Sequence, residues 1–199
     1  MKPGSVAIVG AAESTQLGLV PQLSQIQLHA DAALNALADC GLTPKDIDGL
    51  ACAAEWPTEL AHYLGITPTW VDGTMVGGCS FMLHVRHAAA AIAAGLCSTV
   101  LITHGESGRS WVGTQAMQIN QASLAGQFEL PYGVLGAPTM FTIPVLRYMK
   151  EYGLTHEQLA NVAVVQRQWA ARNPRASQRD PITVQDVRSE EHTSELQSP

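Results

Sequence analysis

Trp70-Val71-Asp72-Gly73-Thr74-Met75-Val76-Gly77-Gly78-Cys79-Ser80-Phe81, the alanine-rich stretch that follows it to Gly95, and Thr99-Val100-Leu101-Ile102-Thr103 together decide the fold. The first three residues read as a brief strand. The glycines supply the backbone freedom of a turn, and the alanine-rich stretch reads as a helix ending near Gly95. Residues 99–103 are β-branched and apolar, which predicts a central strand buried on both faces. Strand, helix and strand in that order predict layers of helix on sheet.

Upstream, residues 5–9 form a short apolar run closed by Gly10, the pattern of a buried strand. Ser24 then opens a helix whose apolar positions Ile26, Ala30, Ala33, Leu34 and Leu37 recur at helical spacing, with Gly41 placed to cap it. A turn-rich link through Thr43-Pro44 and Lys45-Asp46-Ile47-Asp48-Gly49 leads into a short apolar run at 50–53. Residues 59–64 predict a short helix before Gly65. Strand and helix alternate throughout, so the fold class is α/β with a largely parallel or mixed sheet.

Downstream the pattern weakens between 105 and 138, which reads as a long loop or small subdomain. A helix over 139–152 follows, interrupted at Pro144 and ended by Gly153. Thr155 and Gln158 match a capping box that opens a helix through Leu159, Val162, Ala163, Gln166 and Ala170, and Asn173-Pro174 stops it. In 188–199 Leu196 is the only strongly hydrophobic side chain, so that stretch predicts a disordered tail. Its text also resembles translated sequencing-adapter sequence and is read as artefactual.

Composition excludes several function classes. With 199 residues and 46% hydrophobic content, the chain is long enough for one domain with a sizeable core or for part of a larger one. Eleven Lys and Arg against 17 Asp and Glu give a net charge of -6, which leaves no broad basic surface for nucleic acid. Cys40, Cys52, Cys79 and Cys97 are dispersed without a CxxC pair, which argues against a zinc ribbon or a disulfide framework and for reduced thiols in the cytoplasm. The N-terminus lacks a long apolar signal core, and the longest low-polarity stretch, 88–96, is too short to span a bilayer.

Cys79 is the candidate catalytic residue. A thiol at a helix N-terminus faces unpaired N–H groups and the positive end of the helix dipole, both of which favour thiolate. The competing reading is a small residue packed at a tight turn. Cys40, Cys52 and Cys97 read as packing residues. His84 and His87, three apart on one helix, lack a local acidic or thiol ligand and predict no metal site. His104 and Glu106 follow the strand at its C-terminal end, where α/β folds often place functional groups, and read more simply as a self-satisfied polar loop. Arg167, Arg172, Arg175 and Arg179 gather positive charge, either for phosphate contact or as a solvated face. Gly77-Gly78 matches neither a P-loop nor a GxGxxG spacing.

Several segments together resemble the thiolase superfamily, in the branch of sterol carrier protein x and the lipid-transfer-protein-like thiolases. They are Val6-Ala7-Ile8-Val9-Gly10, Ala38-Asp39-Cys40-Gly41-Leu42 with Ile47-Asp48-Gly49-Leu50, the glycine turn before the alanine-rich helix, Leu101-Ile102-Thr103-His104-Gly105-Glu106 and Arg147-Tyr148-Met149-Lys150-Glu151-Tyr152-Gly153. Glu157-Gln158-Leu159-Ala160 and Ala171-Arg172-Asn173-Pro174 carry the strongest likeness.

The resemblance implies a thiolase-like layered α/β fold, N-terminal half only, with residues 1–187 as one domain, a loop subdomain at about 105–187, and 188–199 as the tail. It implies an acyltransferase of lipid or sterol metabolism acting on acyl-coenzyme A, with coenzyme A as substrate and no bound cofactor. Cys79 would be the nucleophile, and its acid/base partners would come from a second half. It also implies a homodimer when complete. Thiolytic members follow the cysteine with a small Ser-Gly-type continuation, whereas here Ser80-Phe81-Met82 follows. Two alternatives stay open: a retro-aldolase on steroid side-chain coenzyme A thioesters, working with a small partner protein, and a non-catalytic acyl-coenzyme A binding subunit.

Overall fold

A computed structural model of the chain describes residues 4–113, 120–134 and 136–189. The chain divides into two units, Met1–Ala116 and Met117–Pro199.

In the first unit, Ser24 caps α1 (Gln25–Cys40) through a capping box with Gln27, and the helix closes on Gly41 in the left-handed conformation. A 3-10 turn at Pro44–Asp46 leads to β1 (Gly49–Cys52), then α2 (Pro57–Leu64), β2 (Trp70–Asp72), α3 (Ser80–Ala93) and β3 (Val100–Thr103). Among the described residues the sheet has three strands in the order β2-β1-β3, all parallel. Gly49 stands opposite Trp70 on one side and Val100 on the other. The chain steps from β1 to β2 through α2, then back across β1 to β3 through α3. Right-handed crossovers in opposite directions put α2 and α3 on opposite faces.

Leu37 and Ala33 of α1, Leu60 and Ala61 of α2, and Leu50, Cys52 and Leu101 of the sheet form the main apolar core with Ile47 and Ile66. Ala88, Ala89 and Ala91 of α3 are buried as well, small enough for a helix to lie close. The Asp48 carboxylate accepts from the N–H groups of Ser98 and Thr99, at 2.8 and 2.7 Å, and pins the approach to β3 against the start of β1.

Two strand expectations change. β1, not β3, is the central strand. All four residues of β1 are buried, whereas in β3 only Leu101 and Thr103 are buried and Val100 and Ile102 are half-exposed. Gly49-Leu50-Ala51-Cys52 carries small residues where helices press from both faces, a composition with little strand signal. Residues 5–9 form no strand, and no strand among the described residues pairs with them; Ile8 and Val9 are 76% and 64% exposed.

The second unit contains α4 (Leu124–Phe128), a 3-10 turn at Leu130–Tyr132, α5 (Ala137–Tyr152), α6 (His156–Ala170) and α7 (Val184–Arg188). The predicted interruption of α5 is absent, since the helix runs through Pro144 and ends at Gly153. A proline removes one intrahelical bond, and the turns on either side hold. The Thr155 capping box forms as expected, with Gln158 N–H donating to Thr155 Oγ1 at 3.2 Å and Thr155 N–H to Gln158 Oε1 at 2.8 Å. Of the predicted 188–199 tail, 190–199 lie outside the described residues. No helix among the described residues is long and apolar enough to cross a membrane.

Candidate functional site

Cys79 stands at the N-cap position of α3 and is exposed. Its thiol lies 3.7 Å from the Val76 carbonyl oxygen, within reach to donate a weak hydrogen bond. The turn that delivers it needs Gly77 at φ +79, a conformation side-chain-bearing residues avoid. Ser80, fully buried, locks that turn: its hydroxyl accepts from Val76 N–H at 3.0 Å and donates to the Gly77 carbonyl at 2.6 Å.

Asp72, at the end of β2, organises the approach to the turn. One carboxylate oxygen accepts from Thr74 N–H at 2.8 Å and from the Thr74 hydroxyl at 2.6 Å, while the other accepts from His87 Nδ1 at 2.7 Å. Burial pushes this carboxyl up. The Thr74 hydroxyl, His87, the Thr74 N–H and the nearby His84 together outweigh it and hold the group below the usual carboxylate range. His84, buried on α3, donates from Nε2 to the Thr74 carbonyl at 2.9 Å. The two histidines thus brace the glycine turn. Among the described residues no group of three His, Cys, Asp or Glu side chains converges on a metal position.

The first turn of α3 also meets the C-terminal end of β3. The Phe81 ring packs edge-on against His104 with centroids 4.8 Å apart, and His29 from α1 lies on His104 at 6.0 Å. The bulk that follows Cys79 is therefore split, with Phe81 turned onto His104 while Met82 is exposed. His104 Nε2 donates to Glu106 at 3.1 Å, and His29 Nδ1 lies 2.8 Å from the Thr103 hydroxyl. Burial, aided by the neighbouring His104, pushes His29 down to about 4, so its ring is neutral at pH 7. The sequence reading missed His29 altogether. Its signal was an imidazole on the apolar stripe of α1, one turn before Ala33 and two before Leu37.

The remaining cysteines form no hydrogen bond with this turn among the described residues. Cys52 is buried in β1, donates to the Glu55 carbonyl at 3.2 Å, and is pushed up to about 12 by burial and by the charges of Glu55 and Asp72. Cys97 is buried and pushed up by burial and by Asp48. Cys40 contacts the carbonyls of Ala36 and Leu37 within its own helix. In the second unit, Arg167 donates to the Asp180 carbonyl at 2.8 Å and Arg172 stacks on Trp169 at 4.9 Å. Arg167 and Arg172 are thus engaged in local contacts.

No protein-family model matches the chain. Curated relatives do. It is 35% identical over 195 residues to a steroid side-chain-cleaving aldolase of Thermomonospora curvata, covering 92% of this chain and 50% of that protein. It is 32% identical over 197 residues to a 17-hydroxy-3-oxo-4-pregnene-20-carboxyl-CoA lyase of Mycobacterium tuberculosis, covering 94% of this chain and 51% of the other. An acetyl-CoA acetyltransferase of Methanothermobacter thermautotrophicus is 30% identical over 192 residues, covering 92% of this chain and 49% of the other. The chain thus spans about half the length of the curated relatives it matches. Among solved structures, an Ltp2–ChsH2(DUF35) aldolase superposes with a TM-score of 0.73 at 33% identity, over 90% of this chain and 49% of that one. A monomeric SCP2-thiolase-like protein type 1 of Mycobacterium smegmatis superposes with a TM-score of 0.67 at 24% identity, over 90% and 38%. The fold is accordingly thiolase-like α/β, matching part of each longer chain.

Proposed function

We propose that this chain is the N-terminal part of a thiolase-like carbon–carbon lyase that cleaves a steroid side chain carried as a coenzyme A thioester, working with a partner protein of the DUF35 kind. The observation that carries the reading is the 35% identity over 195 residues to a steroid side-chain-cleaving aldolase, supported by the 32% identity to a coenzyme A lyase. The partner is inferred from the likeness to the Ltp2–ChsH2(DUF35) aldolase. In a retro-aldol cleavage a base takes the proton of a hydroxyl β to the thioester carbonyl. The bond between the α and β carbons breaks, and its electron pair passes into the thioester enolate. A proton added at the α carbon then leaves a carbonyl compound and a shortened thioester. No sulfur nucleophile takes part, so Cys79 is a turn residue in this scheme.

The acyltransferase reading is the second one. It is favoured by the exposed position of Cys79 at the α3 N-cap and by the acetyl-CoA acetyltransferase relative. There the Cys79 thiolate attacks the thioester carbonyl, coenzyme A leaves as its thiolate, and the acyl group then passes from the cysteine to a second nucleophile, which frees the sulfur. One experiment separates the two. The full-length protein with a DUF35-type partner is incubated with a β-hydroxy steroid side-chain coenzyme A thioester, and products are read by mass spectrometry for wild type and Cys79→Ala. The lyase reading expects a steroid ketone and a shortened acyl-coenzyme A from both, with turnover within about twofold. Loss of product in Cys79→Ala, with an acyl group found on Cys79 in the wild type, sinks it in favour of the acyltransferase.

A further inference from the structure

Three buried ring nitrogens carry no hydrogen bond among the described residues, and two of them, His29 Nε2 and His104 Nδ1, belong to neighbouring rings. Those rings meet edge to face at 63°, with centroids 6.0 Å apart. A buried polar atom left without a partner costs about 1–3 kcal/mol, so two such atoms side by side call for an explanation. The rings are held against each other. A Cβ on Gly105 would sit 2.6 Å from His29 N and 2.7 Å from His29 Cδ2, so the loop that carries His104 is pressed onto α1 where His29 stands.

The direction of each hydrogen bond decides what joins them. A neutral imidazole has one N–H and one bare nitrogen. His104 Nε2 faces the Glu106 carboxylate at 3.1 Å and is the donor, which leaves its Nδ1 bare. His29 Nδ1 lies 2.8 Å from the Thr103 hydroxyl. When that nitrogen accepts the hydroxyl proton, His29 Nε2 carries the ring N–H and needs an acceptor, while His104 Nδ1 needs a donor. Each supplies what the other lacks. An N–H···N bond of about 3 Å places two imidazole centroids roughly 5 Å apart, so a closer approach of about 1 Å forms it, in the manner of hydrogen bonds that tighten when a site fills.

We propose that Thr103, His29, His104 and Glu106 form one directional chain, hydroxyl to imidazole to imidazole to carboxylate, and that it positions Glu106 as the proton acceptor of the site. Three donors point one way and fix the carboxylate through Oε2, while no hydrogen bond among the described residues engages its other oxygen. The Glu106 side chain is 24% exposed at the C-terminal end of β3, the end at which parallel sheets present their ligands. His104 also packs on Phe81 in the first turn of α3, which brings the chain beside the Cys79 turn. Asp72, the carboxylate on the other side of that turn, already accepts from Thr74 twice and from His87. The role rests on the lyase reading. Glu106 takes the β-hydroxyl proton, the bond between the α and β carbons breaks to give a carbonyl compound and the thioester enolate, and Glu106 returns the same proton to the α carbon. His29 exchanges no proton with substrate; it is a positioning residue that acts through His104.

The full-length protein, labelled with nitrogen-15 at histidine and studied with a DUF35-type partner, tests the chain and the role separately. Ring nitrogen shifts at pH 7 should show His29 and His104 each with a protonated Nε2 and a bare Nδ1. His29→Leu should move the His104 Nδ1 signal, and His29→Gln, whose amide can donate in place of the ring, should bring it back. In the kinetic arm Glu106→Gln should lower kcat by about 100-fold or more with little change in KM. His29→Leu should lower kcat by roughly tenfold, and His29→Gln should recover most of that loss. A His29 ring protonated at Nδ1, or a His104 Nδ1 signal that His29→Leu leaves unmoved, overturns the chain; the wild-type spectrum alone decides it where a variant does not fold. A lyase that keeps its turnover in Glu106→Gln overturns the role given to Glu106 and leaves the lyase reading intact. A wild type with both expected tautomers and no lyase turnover sinks the lyase reading, and Glu106's part in it, while the chain stands.

Discussion

His29 shows how one buried side chain makes the first unit sensitive to pH. It is completely buried on α1, touches Thr103 through Nδ1 and lies against His104, and its proton affinity falls from an ordinary 6.5 to about 4. Between those values the unfolded chain binds a proton that the folded chain refuses. Stability from this residue is thus intact above pH 6.5 and is lost as pH falls toward 4, by on the order of 3 kcal/mol in full. The depressed carboxyls of Asp48 and Asp72 are lost only at lower pH, so they do not contribute to the change between pH 6.5 and 4.5. Urea midpoints measured across that window should drop for the wild type and stay nearly level for His29→Gln. Parallel curves for the two proteins would show that the acid sensitivity arises elsewhere.

At the scale of elements, local chemistry was legible and lateral order was not. Thr155 with Gln158 is readable as a capping box because the two lie three residues apart, and it forms; Ser24 opens α1 as expected, through a box with Gln27 that the structure adds. Thr155→Ala removes the acceptor for Gln158 N–H, and α6 should lose about 1 kcal/mol, read as a lower thermal midpoint with unchanged far-ultraviolet circular dichroism at 20 °C. Thr155→Ser should recover most of it. The order of strands depends instead on pairings between residues far apart, such as Leu50 with Leu101, and no spacing in the sequence encodes them. β1 was legible only as a short apolar run because Gly49, Ala51 and Cys52 are chosen to fit under helices, and its centrality is a property of its neighbours. The approach to Cys79 follows the same division. The glycine turn and the α3 N-terminus could be read locally, whereas the bracing of that turn by Asp72, His84 and His87 joins a strand to a helix 15 residues away at its longest contact.

For the whole molecule, the amount of apolar surface left uncovered decides how the polypeptide behaves alone. In the first unit Ile8, Val9 and Leu19 are exposed; in the second, Phe141 and Ile143 on α5 and Val162 and Trp169 on α6 are exposed, with Phe141 at 67% and Trp169 at 65%. Large apolar side chains exposed in this number favour surfaces that meet another surface. Buried area is the term that sulfate strengthens, because the salt is excluded from protein surface. The 199-residue chain should therefore bind anilinonaphthalene sulfonate and self-associate, with a sedimentation coefficient that rises with protein concentration and rises further in sodium sulfate. A chimaera joining residues 1–187 to the second half of the Thermomonospora curvata relative should bind less of the dye per chain and lose the sulfate dependence. A 199-residue chain that sediments as a dye-silent monomer at all sulfate concentrations would mean that these side chains cover one another in solution, and would remove the physical reason for expecting a second half to pack here.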